Sequence, residues 1–299
     1  LEKNKMYIEL FGASDRLGGN IADMVSQIIY AVNNNAYIKY DRNYIRVYNS
    51  YNQRYNNSIF MQTLFDIIDE HNNTITNKSF DNYVELAEPS HFQVFSKTVL
   101  DIKQDLFSFF KTNLFTNKIK EEFLNKAKIL NYEIPFDPKN TILIHHRLED
   151  VRHRPDYDGS ECANFMKGKI ENNEIPDNTV LSTTTPPPMC QIQAPLSTEK
   201  LKKIVDLVLK DKPNHEVILI TNPNENINDL PYRYISSHDE FYDLFLLCNS
   251  ETLILSRSNY ALSSLFFGKA KNVHIPLWGH IPCYGLYTKY DNNNFKYFT

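Results

Sequence analysis

Thr141-Ile142-Leu143-Ile144-His145-His146-Arg147-Leu148-Glu149-Asp150 is the stretch from which the rest of the chain is read. Three consecutive aliphatic residues behind a threonine read as a strand buried on both faces, the kind found in parallel sheets. In open α/β sheets ligands gather at the carboxyl ends of the strands. That end here carries His145, Arg147 and Asp150 in the spacing His-x-Arg-x-x-Asp. A guanidinium delivered from a strand end suits a diphosphate, because its planar fork meets two oxygens at once. A charged loop after a buried strand is the plainer alternative for the same residues.

Downstream, elements alternate. Ser197-Thr198-Glu199-Lys200 reads as a capped helix start, and Leu201, Ile204, Val205 and Val208 form its apolar stripe. Glu216 to Thr221 and Arg233 to Ile235 read as strands, and Ser237 opens a helix that runs through Leu247. Thr252 to Ser256 is a further strand, Ala261 to Phe267 a helix, and Asn272 to Pro276 the last strand. Residues 162–170 read as a helix and Thr179 to Ser182 as a short strand ahead of the extended Pro186-Pro187-Pro188. Strand–helix alternation over residues 140–280 implies a parallel sheet wound on both faces.

Upstream, Met6 to Phe11 reads as a first strand. It leads through Gly12-Ala13-Ser14-Asp15-Arg16-Leu17-Gly18-Gly19-Asn20 into a helix with Ile21, Met24, Val25, Ile28, Ile29 and Val32 on one side. A glycine-containing turn between strand and helix lets backbone N–H groups approach an anion. The spacing is not the dinucleotide fingerprint G-x-G-x-x-G, and a tight turn explains the glycines equally well. Ile45 to Tyr48 reads as a strand, and Ile59 to Ile68, Phe92 to Phe110 and Thr116 to Lys128 as helices. Two prolines in Tyr132 to Asn140 mark a boundary. The expected architecture is α/β, with Rossmann-like domains at residues 1–138 and 139–299 facing a central cleft.

The 299 residues, 42% of them apolar, with 19 Phe and 19 Tyr, supply material for two cores. A net charge of −4 gives no overall basic surface, so no nucleic-acid partner is expected. Cys162, Cys190, Cys248 and Cys283 form no C-x-x-C pair, which argues for packed, reduced thiols. No run of eighteen apolar residues occurs and the first residues lack the core of a signal peptide, so neither a membrane span nor secretion is expected. Asn33 to Asn35 and Asn292 to Asn294 read as codon bias of an AT-rich genome. A cytoplasmic protein of bacterial or viral origin is the expectation.

A second constellation, Ser256-Arg257-Ser258-Asn259, follows a later strand and enters the helix holding Ser263 and Ser264. Hydroxyls and N–H groups at a helix start suit phosphate oxygens, and a plain helix cap uses the same residues. Asp243, one turn after Asp239, stands beside the apolar Leu244 to Leu247. A carboxylate there is placed either at a solvated helix edge or to accept from the ring N–H and amino group of guanine. Asp156-Tyr157-Asp158 has the D-x-D form that holds a divalent ion with a nucleotide sugar, but Arg152 and Arg154 beside it repel a cation. His145 and His146, as neighbours on a strand, point to opposite faces and make a poor zinc pair.

Taken together, these stretches resemble the fucosyltransferase superfamily of α1,2-, α1,6- and protein O-fucosyltransferases. Leu17-Gly18-Gly19-Asn20-Ile21 is similar to the family's G-L-G-N loop, shifted by one position. His145, Arg147 and Asp150 match its H-x-R-x-x-D motif at every fixed position. Asp243 through Leu253-Ile254-Leu255-Ser256-Arg257-Ser258 resembles the block that closes its donor site, with Arg257 and Asn259 as departures.

The resemblance implies a GT-B arrangement and an inverting transfer of L-fucose from GDP-fucose to a glycan hydroxyl, without a cofactor or metal. It places Arg147 on the β-phosphate, His145 on the nucleoside and Asp243 on guanine. Ser256, Ser258 and Asn259, with the loop Gly18, Gly19 and Asn20, complete the donor side. Asp15, Glu149 and Asp150 are the candidates for a general base, Asp150 equally for orienting Arg147. The expected partners are a nucleotide sugar and a glycan acceptor, the latter near the Tyr-rich residues 36–60. Competing readings are a transferase for another donor sugar, a metal-dependent transferase using Asp156 and Asp158, a binder without turnover, and a phosphohydrolase built on His145-His146-Arg147.

Overall fold

The computed structural model describes residues 6–9, 17–40, 42, 55–75, 82–84, 113–148, 151–157, 193–222, 227, 229–278 and 295–298. It is a mixed α/β protein with parallel sheets. The described residues up to Leu130 form one compact unit and those from Asn131 onward form another. The strand read at Ile45 to Tyr48, the helix over 92–110 and the elements over 162–170 and 179–182 lie outside the described residues.

In the first unit β1 (Met6–Glu9) lies between β2 (Tyr37–Lys39) and β3 (Asn82–Val84), both parallel to it. Helix α1 (Leu17–Asn34) buries Leu17, Ile21, Met24, Val25 and Ile28 completely, the stripe expected from their spacing. It begins four residues earlier than the sequence suggested, so Gly18, Gly19 and Asn20 belong to its first turn and not to a preceding loop. Helix α2 (Ile59–Thr74) is capped by Ser58, whose hydroxyl accepts from the Met61 N–H at 3.3 Å. Its Phe60 stacks on Phe123 of α3 (Asn113–Ile129), with ring centroids 5.1 Å apart.

The strands β2 and β3 were not legible in the sequence, and β2 has an unusual closure. The Asn72 side chain accepts from the Ile38 N–H at 2.8 Å and donates to the Ile38 carbonyl at 2.7 Å. Arg42, just past β2, reaches Asp66 at 2.7 Å and Asp69 at 2.5 Å on α2 while lying over the Phe65 ring. Asp66 is held below the usual carboxylate range: burial opposes this, but the hydrogen bonds from Lys126 and Arg42 outweigh it.

The second unit is built on a six-stranded sheet. Its strands are β4 (Thr141–His145), β5 (Glu216–Ile220), β6 (Arg233–Ile235), β7 (Thr252–Ile254), β8 (Asn272–Pro276) and β9 (Phe295–Phe298). They lie in the order β6-β5-β4-β7-β8-β9, all parallel. Counted from β4, this is 3-2-1-4-5-6, the order of doubly wound nucleotide-binding sheets. The sequence reading stopped at β8; β9 is short and follows a polar stretch that hides it.

Ile142, Leu143 and Ile144 are all fully buried, so both faces of β4 are covered. On one face Ile142, Ile144, Leu219 and Ile254 meet Leu201, Val205 and Val208 of α4 (Thr198–Asp211). Ser197 caps α4 as expected, accepting from the Lys200 N–H at 3.3 Å. Helices α5 (Glu240–Asn249) and α6 (Asn259–Phe267) pack together, and Gly268, just past α6, makes their approach possible. A Cβ at Gly268 would stand 2.4 Å from the Ser264 carbonyl oxygen and 3.1 Å from that of Cys248. Cys248 itself is buried.

The proline-containing segment joins this second unit. Tyr132 packs edge-on against Tyr242 and donates to Asp239 at 3.1 Å, while Arg233 donates to the Pro135 carbonyl at 3.0 Å. Among the described residues no helix is long and apolar enough to cross a membrane.

Candidate functional site

In an order of 3-2-1-4-5-6 the chain leaves the sheet in opposite directions from the two central strands, opening a crevice at their carboxyl ends. Those strands are β4 and β7, and their register, with Ile144 opposite Ile254, brings the residues that follow them side by side. His145 ends β4 and Ser256 follows β7. His145 Nδ1 and Ser256 Oγ lie 2.6 Å apart, joining two motifs separated by 111 residues.

The His145 ring also rests against Tyr260, with centroids 5.3 Å apart. Loss of hydration, reinforced by Arg147 and His146, lowers its pKa to about 3, so the imidazole is neutral at any ordinary pH. With Nδ1 engaged by Ser256, Nε2 is the ring atom left to meet a ligand. His146 points away from this cluster, as alternation along a strand requires. Burial lowers its pKa to about 4.

Arg147 is partly buried, and its Nη1 donates to the Gln193 side chain. Arg154 holds the backbone of the same residue, donating to the Gln193 carbonyl at 3.0 Å. Arg147 therefore stands at the strand end in a supported position. Asp150 and Asp15, read as catalytic candidates, lie outside the described residues, as does Glu149.

Helix α6 starts at the crevice. Ser258 is its N-cap residue, yet its hydroxyl makes no capping bond. Asn259 is 5% exposed, and neither its amide nitrogen nor its amide oxygen has a partner. Buried amides are nearly always paired, so a doubly unpaired one at a helix start marks a place built for something else. Ser263 and Ser264 do not contribute. Their hydroxyls donate back to the Asn259 and Ala261 carbonyls at 2.8 and 2.7 Å.

Asp243 occupies the first turn of α5. Burial raises its pKa from 3.8 to about 7; a hydrogen bond from Ser237 at 2.8 Å opposes the rise, and Asp239 and Glu240 add to it. Asp239 is committed elsewhere, as the cap of α5. Tyr260 bridges this acidic turn to the crevice, donating to the Glu240 carbonyl while its ring meets His145.

Arg257, between the two serines, turns inward and is fully buried. It donates to Asp156 at 2.7 Å and to the Tyr157 carbonyl at 3.0 Å, and its guanidinium lies 4.0 Å from the Tyr157 ring centroid. Asp156 also accepts from the Ser197 and Tyr157 N–H groups, both at 2.8 Å. The carboxylate read as one half of a D-x-D metal site is thus the counter-ion of a buried arginine. Asp158 lies outside the described residues, among which no cluster of His, Cys, Asp or Glu is placed to hold a metal ion.

Set against family models, curated proteins and solved structures, the chain matches none. The site's reading therefore rests on its own geometry. Of the residues singled out in the sequence, His145, Arg147, Ser256, Ser258 and Asn259 share the β4/β7 crevice, with Asp243 linked to it through Tyr260. Gly18, Gly19 and Asn20 belong to the other compact unit. Sequence reasoning missed Gln193, Tyr260 and the Arg257–Asp156 pair. The only advance signal was a charged residue inside the otherwise small and polar Ser256 to Asn259.

Proposed function

We propose that the protein is an inverting glycosyltransferase that moves L-fucose from GDP-fucose to a glycan hydroxyl. We assign it two Rossmann-like domains in the GT-B arrangement and no metal in the chemical step. The observation that carries this reading is the His145–Ser256 bond at the switch point of a sheet ordered 3-2-1-4-5-6. It gathers a guanidinium, a neutral imidazole, two hydroxyls, an unpaired amide and a helix N-terminus, a set suited to a nucleoside diphosphate.

In this reading Arg147 and the α6 N-terminus hold the diphosphate. As the glycosidic bond breaks, negative charge grows on the departing phosphate, and a fixed guanidinium stabilises it most where water is excluded. Inversion follows when the acceptor hydroxyl attacks from the face opposite the leaving group. Asp243, once ionised, accepts from the guanine ring N–H and amino group, which UDP and CMP cannot reproduce. The acceptor's proton goes to a carboxylate, for which Asp15 and Asp150 are our candidates.

The test is a thermal-shift and calorimetry panel of GDP, UDP, CMP and their sugars with chelator present, on wild type and Arg147→Ala. GDP should bind selectively, and the variant should lose about 10–100-fold in affinity, the worth of a charge-assisted phosphate contact. Preference for UDP or CMP would overturn the fucose assignment and retain a transferase for another donor. Free GDP released from GDP-fucose only when acceptor is present separates turnover from binding alone.

A further inference from the structure

The opposite face of the same sheet edge carries a second feature. The registers of β4 with β5 and β5 with β6 place His145, Ile220 and Ile235 side by side. The strands end there, and His146, Thr221 and Ser236 are the residues that directly follow. The His146 N–H donates to the Ile220 carbonyl at 2.9 Å, and the Thr221 N–H to the Ile235 carbonyl at 3.2 Å. These bonds close the His145–Ile220 and Ile220–Ile235 pairs and hold the residues after them at the sheet's carboxyl edge.

His146, Thr221 and Ser236 thus stand at the ends of three adjacent strands about 4.8 Å apart, as one polar row. Two residues back along β4 and β5 stand Ile144 and Leu219, in the core beneath α4. The row therefore crowns that core at the carboxyl edge, on the face away from His145. Every member has an unpaired buried atom: His146 Nδ1, Thr221 Oγ1 and Ser236 Oγ. His146 is 5% exposed and Thr221 4%.

One orphaned hydroxyl is unremarkable, but a whole rung of them is not, because each lost its hydration on folding and received nothing back. The row is also uncharged, since burial keeps the His146 imidazole neutral. Each member both donates and accepts. An anion or cation would meet no opposite charge here, whereas adjacent hydroxyls of a sugar ring would find a partner at each strand. In doubly wound sheets the end of the second strand from the centre is where ribose hydroxyls are bound, and Thr221 holds that position.

We propose that His146, Thr221 and Ser236 form a subsite for the vicinal hydroxyls of an uncharged sugar ring, distinct from the diphosphate site around His145 and Arg147. The ring is supplied either by the nucleotide's own ribose or by a separate saccharide. The assignment stands on the row itself, so it survives or fails independently of the donor assigned above.

The test compares wild type with Thr221→Val, an isosteric change that removes one hydroxyl with no partner in the free protein and so should leave the melting temperature unchanged or raised. GDP and 2′,3′-dideoxy-GDP are titrated into both, and methyl ribofuranoside and methyl fucopyranoside are followed by NMR on the Thr221 methyl and His146 ring signals. If ribose is the source, removing its hydroxyls weakens binding about tenfold in wild type and hardly at all in Thr221→Val. If a saccharide is the source, the dideoxy analogue binds normally and a methyl glycoside shifts both signals in wild type, with the His146 shift lost in the variant. Should GDP fail to bind, the donor reading falls and the glycoside titrations alone decide the row. Equal losses in both proteins for the dideoxy analogue with no glycoside shifts, or a Thr221→Val protein that melts well below wild type, overturns the proposal and leaves a row serving only a trapped water.

Discussion

Replacing Asp156 with Asn isolates what the buried Arg257 needs. The guanidinium has no exposed surface, and among the described residues its formal counter-charge is Asp156, at 2.7 Å. Opposite charges about 4 Å apart attract by about 4 kcal/mol at an effective dielectric near 20. Breaking a buried pair from one side costs about 3–5 kcal/mol, because the surviving charge stays desolvated. Asp156→Asn should therefore lower the second unit's melting temperature by roughly 6–20 °C.

Arg257→Met should cost less, about 1–3 kcal/mol, because Asp156 keeps the Ser197 and Tyr157 N–H groups and Lys200. In the double variant the two losses should fall short of their sum, since either change alone breaks the same pair. The carboxyl of Asp156 is held below the usual carboxylate range: burial opposes the shift, and Arg257 and the Ser197 N–H prevail. Its stabilisation is thus full above the unfolded value and is lost as pH falls through the lower folded one. Wild type and Asp156→Asn should converge in strong acid. Urea unfolding at pH 7 and pH 3 measures all of this. An Asp156→Asn protein within about 1 kcal/mol of wild type at pH 7, or strictly additive losses, would refute the reasoning.

Other perturbations give equally definite readings. Asp243 keeps its proton up to about pH 7 when folded but loses it near 3.8 when unfolded, so folding is increasingly penalised between those values. Asp243→Asn should then be neutral at pH 4 and more stable than wild type by roughly 1–3 kcal/mol at pH 8 in urea melts, while removing any rise of GDP affinity through pH 7. The side-chain amide of Asn259 has no partner among the described residues, so Asn259→Ala should leave unfolding within about 1 kcal/mol of wild type yet weaken GDP about tenfold by calorimetry. Gly268→Ala forces a methyl to 2.4 Å from the Ser264 carbonyl, and should cost about 1–3 kcal/mol by thermal unfolding.

The second unit was legible wherever burial wrote itself into local spacing. Ile142 to Ile144, Val217 to Ile220 and Leu253 to Leu255 are apolar because both of their faces are covered, and a continuous run needs no knowledge of partners. The α4 stripe and its Ser197 cap follow equally local rules. Strands β2, β3 and β9 escaped because three or four residues of ordinary polarity carry no periodicity. At the site, His145 and Arg147 were visible because a strand end focuses ionisable groups. The Arg257–Asp156 pair was not, since the two lie 101 residues apart and only the folded sheet joins them. Asp156 in particular looked like half of a metal site, because a carboxylate's counter-ion is a tertiary fact.

Strand β2 lies at one end of its three-stranded order, where a strand's outward N–H and carbonyl groups normally wait for any extended chain that passes. The Asn72 amide occupies both of these groups on Ile38, with the same donor and acceptor that another backbone would offer. One helix side chain thus imitates a neighbour that no described strand provides on that side of β2. The edge at Ile38 is closed to strand-by-strand growth, and a nucleus for self-assembly is removed at the cost of a single buried polar residue.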